Sequence, residues 1–73
     1  MTPSSYSTSN TELTPRMRDV LLSAAAGKPA KVTALELHVS VRTVSLVRSA
    51  ACARLGVPNT IAAVAELARR GEL

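Results

Sequence analysis

A chain of 73 residues with nine Lys and Arg against five Asp and Glu, a net charge of +4, one Cys and one His has room for one small domain. A lone Cys excludes an internal disulfide and a cysteine-built metal cluster, and the sequence contains no apolar run of about 18 residues that could span a membrane. The basic balance favours anionic partners, nucleic acid first and an anionic membrane surface second.

Residues 1–12, MTPSSYSTSNTE, are dominated by Ser and Thr, carry no Lys or Arg, and are expected to be a disordered arm that does not track nucleic acid. They lack the basic stretch and apolar core of a signal peptide, so a cytoplasmic location is expected. The first helix follows in LTPRMRDVLLSAAAG. Thr14 is a suitable N-cap and Pro15 sits where its missing N–H costs nothing. Met17, Val20, Leu21, Ala24 and Ala25 share one face at helical spacing, with Arg16, Asp19 and Ser23 opposite. Gly27 is expected to end the helix in a left-handed turn, and Pro29 prevents continuation.

A short second helix is predicted over KVTALELH, 31–38, with Ala34 and Leu37 inward and Leu35 and Glu36 outward. Its start has no Ser, Asp or Asn cap. Thr33 brings a hydroxyl near the core, where it should bond back to a carbonyl one turn earlier. Ser40 caps a third helix through Leu55, closed by Gly56. Asn59 caps a fourth, TIAAVAELARR, stopped at Gly71. No alternating run or hairpin dipeptide suggests a strand. The predicted fold class is all-α, a four-helix helix-turn-helix domain over 13–73 preceded by the arm.

Two helices joined by a turn of three or four residues, the second capped by Ser, form a helix-turn-helix pattern. Around that pattern the stretch from Leu13 to Leu73 resembles the LuxR/FixJ/GerE-type DNA-binding domain. LTPR opens it, VSVRTV (39–44) fits the turn and the start of the recognition helix, RLGV (54–57) fits the Lys/Arg-Leu-Gly-Val that ends it, and NTIAAVAELARRGEL fits the last helix. The length is similar to that of the free-standing, GerE-like members. The resemblance implies that the third helix, 41–55, enters the major groove, that the second lies across the DNA backbone, and that the fourth pairs with a second copy of itself.

A helical projection of the third helix tests these roles. At about 100° per residue, Val44, Ala51 and Leu55 share a narrow inward arc with Arg48 at its edge. Arg42, Leu46, Ser49 and Ala53 lie opposite, flanked by Ser45 and Ala50. Arg48 and Arg54 stand on opposite flanks. No acidic residue occurs from Leu37 to Ala65, so nothing in this region repels phosphate. The expected DNA-binding set is Lys31, Val41, Arg42, Thr43, Ser45, Leu46, Arg48, Ser49 and Arg54. Arg42 is the base reader, preferably of guanine, Leu46 touches a thymine methyl, and the flanking Arg grip phosphates.

The sequence departs from the family pattern at several positions. Ser45 stands where Lys is common, Val47 where His is common, Met17 where Glu is common, and His38 where the turn often has Gly. Of the usual Ser-Asn-Lys-Glu-Ile at the second helix only Lys31 is kept. Losing about two phosphate or base contacts should weaken binding and lower its salt dependence by ~0.9 logarithmic units per phosphate. His38 should take a positive φ.

In the fourth helix, Ile61, Ala63, Val64, Ala65, Leu67 and Ala68 cover roughly 200° of circumference, more than one small core uses. Ile61, Val64, Ala65, Leu67 and Ala68 are therefore the expected dimerisation face. Arg69 and Arg70 should complement the helix dipole. Lys28 and Lys31 either meet phosphate or are solvated. Cys52 reads as a small buried hydrophobe, since catalysis would need the only His, His38, beside it.

The expectation is a small transcription regulator that binds double-stranded DNA as a homodimer, with no cofactor, no metal and no enzymatic constellation. The alternative is a protein-binding module on the same scaffold, whose Ser45–Leu46–Ser49–Ala53 face docks RNA polymerase or another regulator and binds DNA weakly or not at all.

Overall fold

The computed structural model describes residues 13–72. Residues 1–12, read above as a disordered arm, and Leu73 lie outside the described residues. Four helices follow in chain order, α1 Pro15–Ala25, α2 Ala30–Leu37, α3 Val41–Leu55 and α4 Thr60–Arg69, and no strand is present among the described residues.

Local chemistry sets the helix ends. The Thr14 hydroxyl accepts the Met17 N–H at 3.1 Å, with Pro15 at the first helical position. At the other end of α1 the Lys28 N–H reaches the Ser23 carbonyl at 3.1 Å, closing the helix beneath Gly27. Helix α2 begins at Ala30, one residue earlier than expected, and Pro29 gives it no side-chain cap. Ser40 Oγ accepts the Thr43 N–H at 3.0 Å and Asn59 Oδ1 accepts the Ala62 N–H at 2.8 Å, fixing the starts of α3 and α4. Gly56 closes α3 at φ 70°, where a Cβ would be strained.

The turn between α2 and α3 is three residues, His38 to Ser40. His38 is left-handed at φ 60° and ψ 42°, as expected of a position where the family pattern often has Gly. Its N–H bonds the Leu35 carbonyl and the Val39 N–H bonds that of Ala34. The three-residue turn thus ends α2 and lets α3 start at once, packed against α2.

The core is in two parts that meet along α3. Leu21, Ala51, Cys52, Ala63 and Leu67 join α1, α3 and α4, with Leu13, Met17, Leu55 and Val57 packed against them. Val20, Ala34 and Val44 join α1, α2 and α3, with Leu37, Val39 and Val47 around them. Cys52 is buried, as expected. The buried residues of α3 are Val44, Ala51 and Cys52, all small.

Two inward assignments change. Ala25, placed on the core face by spacing, is exposed, because it is the last residue of α1 and lies beyond the turn that Val20 and Leu21 anchor. Ser23, placed on the solvent face, is half-buried and shares a 2.6 Å hydrogen bond with Thr33 Oγ1. Thr33 is fully buried and also bonds the Pro29 carbonyl at 3.4 Å. With Thr33 donating to that carbonyl, Ser23 donates to Thr33. The pair satisfies a buried hydroxyl and fastens α2, which lacks a cap, to α1. An Arg18–Glu72 ion pair of 2.8 Å ties the chain end to α1.

Candidate nucleic-acid interface

Because α3 buries only Val44, Ala51 and Cys52, its outer side is wide. Arg42, Ser45, Leu46, Ser49, Ala50 and Ala53 are all exposed along it, as the helical spacing predicts. Leu46 is 58% exposed, a large apolar side chain standing amid small ones. Val47 is half-buried against the α2 side of the core. Val41 is exposed at the first turn. Thr43 is half-buried and accepts a hydrogen bond from Ser40 Oγ at 3.0 Å, so its hydroxyl helps hold the cap.

The charges around this face are uneven. Of the acidic residues described, Glu36, Glu66 and Glu72 are each engaged by Lys or Arg. Lys28 is held by Glu36 at 2.8 Å and is directed along α2. Lys31 is exposed in the first turn of α2, and neither it nor Arg42 takes part in an ion pair among the described residues. Arg54 is exposed in the last turn of α3. Arg69 and Arg70 do more than complement a helix end. Both bond Glu66, at 2.6 Å and 2.9 Å. The hydrogen bonds from Arg69 and then Arg70 hold the Glu66 carboxyl below its ordinary pKa, and the Glu66 carboxylate raises that of Arg69.

Arg48 is different in kind. It is half-buried, and its Nε–H is shielded from solvent without a hydrogen-bond acceptor among the described residues. It lines a groove of about 530 Å³ between α3 and the start of α4, together with Ser45, Ser49, Asn59 and Thr60. The sequence placed Arg48 on a flank of α3 but gave no sign that α4 begins beside it. Asn59 and Thr60 are brought there by the Gly56–Asn59 connection, and no spacing along one helix reports that juxtaposition.

The α4 face also resolves. Leu67, expected in the dimer face, is fully buried in the protomer's own core with Ala63 and cannot reach a second copy. Leu67 faces α1 and α3, and the apolar circumference of α4 divides into an inward and an outward half. The outward half keeps Ile61, 83% exposed, with Ala65 and Ala68 exposed and Val64 half-buried. These four lie at i, i+3, i+4 and i+7, a stripe of roughly 100°.

A three-residue turn between α2 and α3, with α3 capped by Ser and carrying an exposed face without acids, defines a helix-turn-helix domain. The model of one family, "Bacterial regulatory proteins, luxR family", matches residues 11–67. The chain belongs to that family, and with it to the DNA-binding regulators of transcription. No curated protein and no solved structure matches the chain significantly. No helix among the described residues is long and apolar enough to cross a membrane.

Proposed function

We propose that this protein regulates transcription by laying α3 in the major groove of duplex DNA, as a homodimer joined through α4. The observation that carries the reading is the outer face of α3. It is small-sided, flanked by Arg48 and Arg54, and without a carboxylate from Leu37 to Ala65. Small side chains let the helix backbone approach base edges, and Arg42, exposed at its N-terminal end, would reach a guanine. Ser45 and Ser49 offer short hydrogen-bonding groups, and Leu46 an apolar contact for a thymine methyl. Val41 and Thr43 stand at the entry of the helix. Arg48, Arg54 and Lys31 serve phosphates, which fix register without reading sequence.

The dimer rests on the stripe of Ile61, Val64, Ala65 and Ala68. A two-fold axis at this stripe presents the same residues from both copies and spaces two α3 helices for neighbouring half-sites. Selection of bound duplexes from a random pool tests both parts. An enriched palindrome is expected. Recovery of no preferred sequence, with no duplex bound at low salt by folded protein, refutes the reading.

A second reading is supported by the 58% exposure of Leu46 and by Ser45 standing where relatives carry Lys. On this reading the Ser45–Leu46–Ser49–Ala53 face docks a protein, RNA polymerase or another regulator, in place of DNA. Leu46→Glu tests this second reading. It should abolish a protein contact centred on Leu46, and an undiminished partner interaction removes this alternative.

A further inference from the structure

We infer that the groove between α3 and α4 is half of a contact between two copies of this chain. Its apolar end seats Ile61 of a second copy, and the same rotation seats Ile61 of the first copy in the second. This deepens the proposed α4 dimer and rests on it for the partner.

The outward stripe of α4 is too small to hold a dimer alone. Ile61 is 83% exposed and brings roughly 60–120 Å² of apolar surface to a contact. Val64 is half-buried, and Ala65 and Ala68 are small, so each brings less. Each copy of a stable dimer buries about 800 Å². The contact therefore has to run on from the stripe over an adjoining surface, and a side chain as prominent as Ile61 needs a concave one to lose its water.

The groove adjoins the stripe and holds about 530 Å³. Its polar side chains on α3 come from the earlier turns, while Cys52, Ala53, Val57 and Pro58 make the later end apolar. Ala53 and Pro58 are exposed there, and Val57 is half-buried against the core. Ala53 is about 12 Å along α3 from Ser45, so a side chain seated at this end leaves the base-reading turns uncovered. Ile61 is one residue beyond Thr60, which lines the groove, yet its exposure shows that it does not turn back into its own protomer. Knob and groove thus adjoin on one surface. A two-fold axis passing between them fills both grooves at once and closes the pair, whereas a knob far from its pocket propagates copies head to tail.

The test uses the full chain carrying Cys52→Ala, so that each copy has a single introduced thiol. Chains with Ile61→Cys are mixed with chains with Ala53→Cys, oxidised mildly, and the products are resolved by mass. The disulfide between position 61 of one copy and position 53 of the other is expected to dominate. In a second arm, Ala53→Glu in otherwise wild-type protein puts a carboxylate in both seats. The dimer dissociation constant, read by sedimentation equilibrium, should rise by about two to four powers of ten, as for Ile61→Glu. A dimer unaffected by Ala53→Glu, or one in which another disulfide dominates, overturns the seat and leaves the α4 dimer standing. Wild-type protein that stays monomeric with and without duplex overturns the dimer and the seat together. Ala53 and Ile61 are both exposed, so the cross-linking arm decides even if Ala53→Glu fails to fold.

Discussion

Ile61 offers the most direct test of the proposed dimer. It is 83% exposed in the protomer, and burying such a side chain contributes about 1.5–3 kcal/mol. A two-fold interface buries it twice, so the pair contributes about 3–6 kcal/mol per dimer. Ile61→Glu removes that contribution and sets two carboxylates against each other. The dissociation constant should rise by about two to four powers of ten. The protomer should not suffer. Position 61 is in the first turn of α4, where a carboxylate gains about 0.3–1 kcal/mol from the helix dipole. Leu67→Ala is the contrasting change, since Leu67 is fully buried with Leu21, Ala51, Cys52 and Ala63. It should cost about 2–5 kcal/mol of protomer stability. Sedimentation equilibrium, with and without a selected duplex, gives the association constant, and urea melts at low protein concentration give protomer stability. Self-association of Ile61→Glu equal to wild type would refute the interface. So would wild-type protein that binds a palindromic duplex only one copy at a time.

Three further outcomes are expected. Arg42→Ala should lose about 1–3 kcal/mol on the preferred duplex and less on duplexes altered at the contacted base pair, as measured by fluorescence anisotropy, whereas Arg54→Ala should weaken all duplexes alike. His38→Gly should raise stability by up to about 1 kcal/mol in urea, because a left-handed non-Gly residue costs about 1–2 kcal/mol, partly offset by the greater freedom of Gly in the unfolded chain; a loss of stability would mean that the imidazole makes a contact that matters. Glu66 has its pKa lowered by Arg69 and Arg70, so its contribution is present above the unfolded carboxylate pKa and is lost as pH falls through the lower folded value. Stability should therefore decline in that acidic range, and Glu66→Gln should flatten the decline; an unaltered pH profile in the variant would exclude Glu66 as its source.

Much of this fold is written in local signals. Thr14, Ser40 and Asn59 each cap a helix because a short side-chain oxygen finds an amide three residues on, an interaction confined to one turn. His38 was legible from the resemblance, since it stands where the family's turn often has Gly, and its φ is 60°. The outer face of α3 followed from helical spacing, as one helix determines which of its residues share a side. What spacing could not supply was the identity of the facing neighbour. Leu67 and Ile61 are both apolar and both on α4, and only the positions of α1 and α3 decide that one faces inward and the other outward. Ser23 looked like a solvent residue until Thr33, on another helix, came within 2.6 Å of it. The groove around Arg48 joins residues 45–49 to 59–60 in space, and its chemistry exists only once the two helices are packed.

The narrowness of the inward face of α3 has an evolutionary consequence. Three small residues, Val44, Ala51 and Cys52, are buried on that helix, while Arg42, Ser45, Leu46 and Ser49 stand in solvent. Substitutions at these four positions therefore change stability little, and on the proposed major-groove reading each would change which base pairs are favoured. On that reading the domain could be re-addressed to new DNA sites one residue at a time while it stays folded. Folding and the proposed address then lie on opposite sides of a single helix, and the two would drift independently.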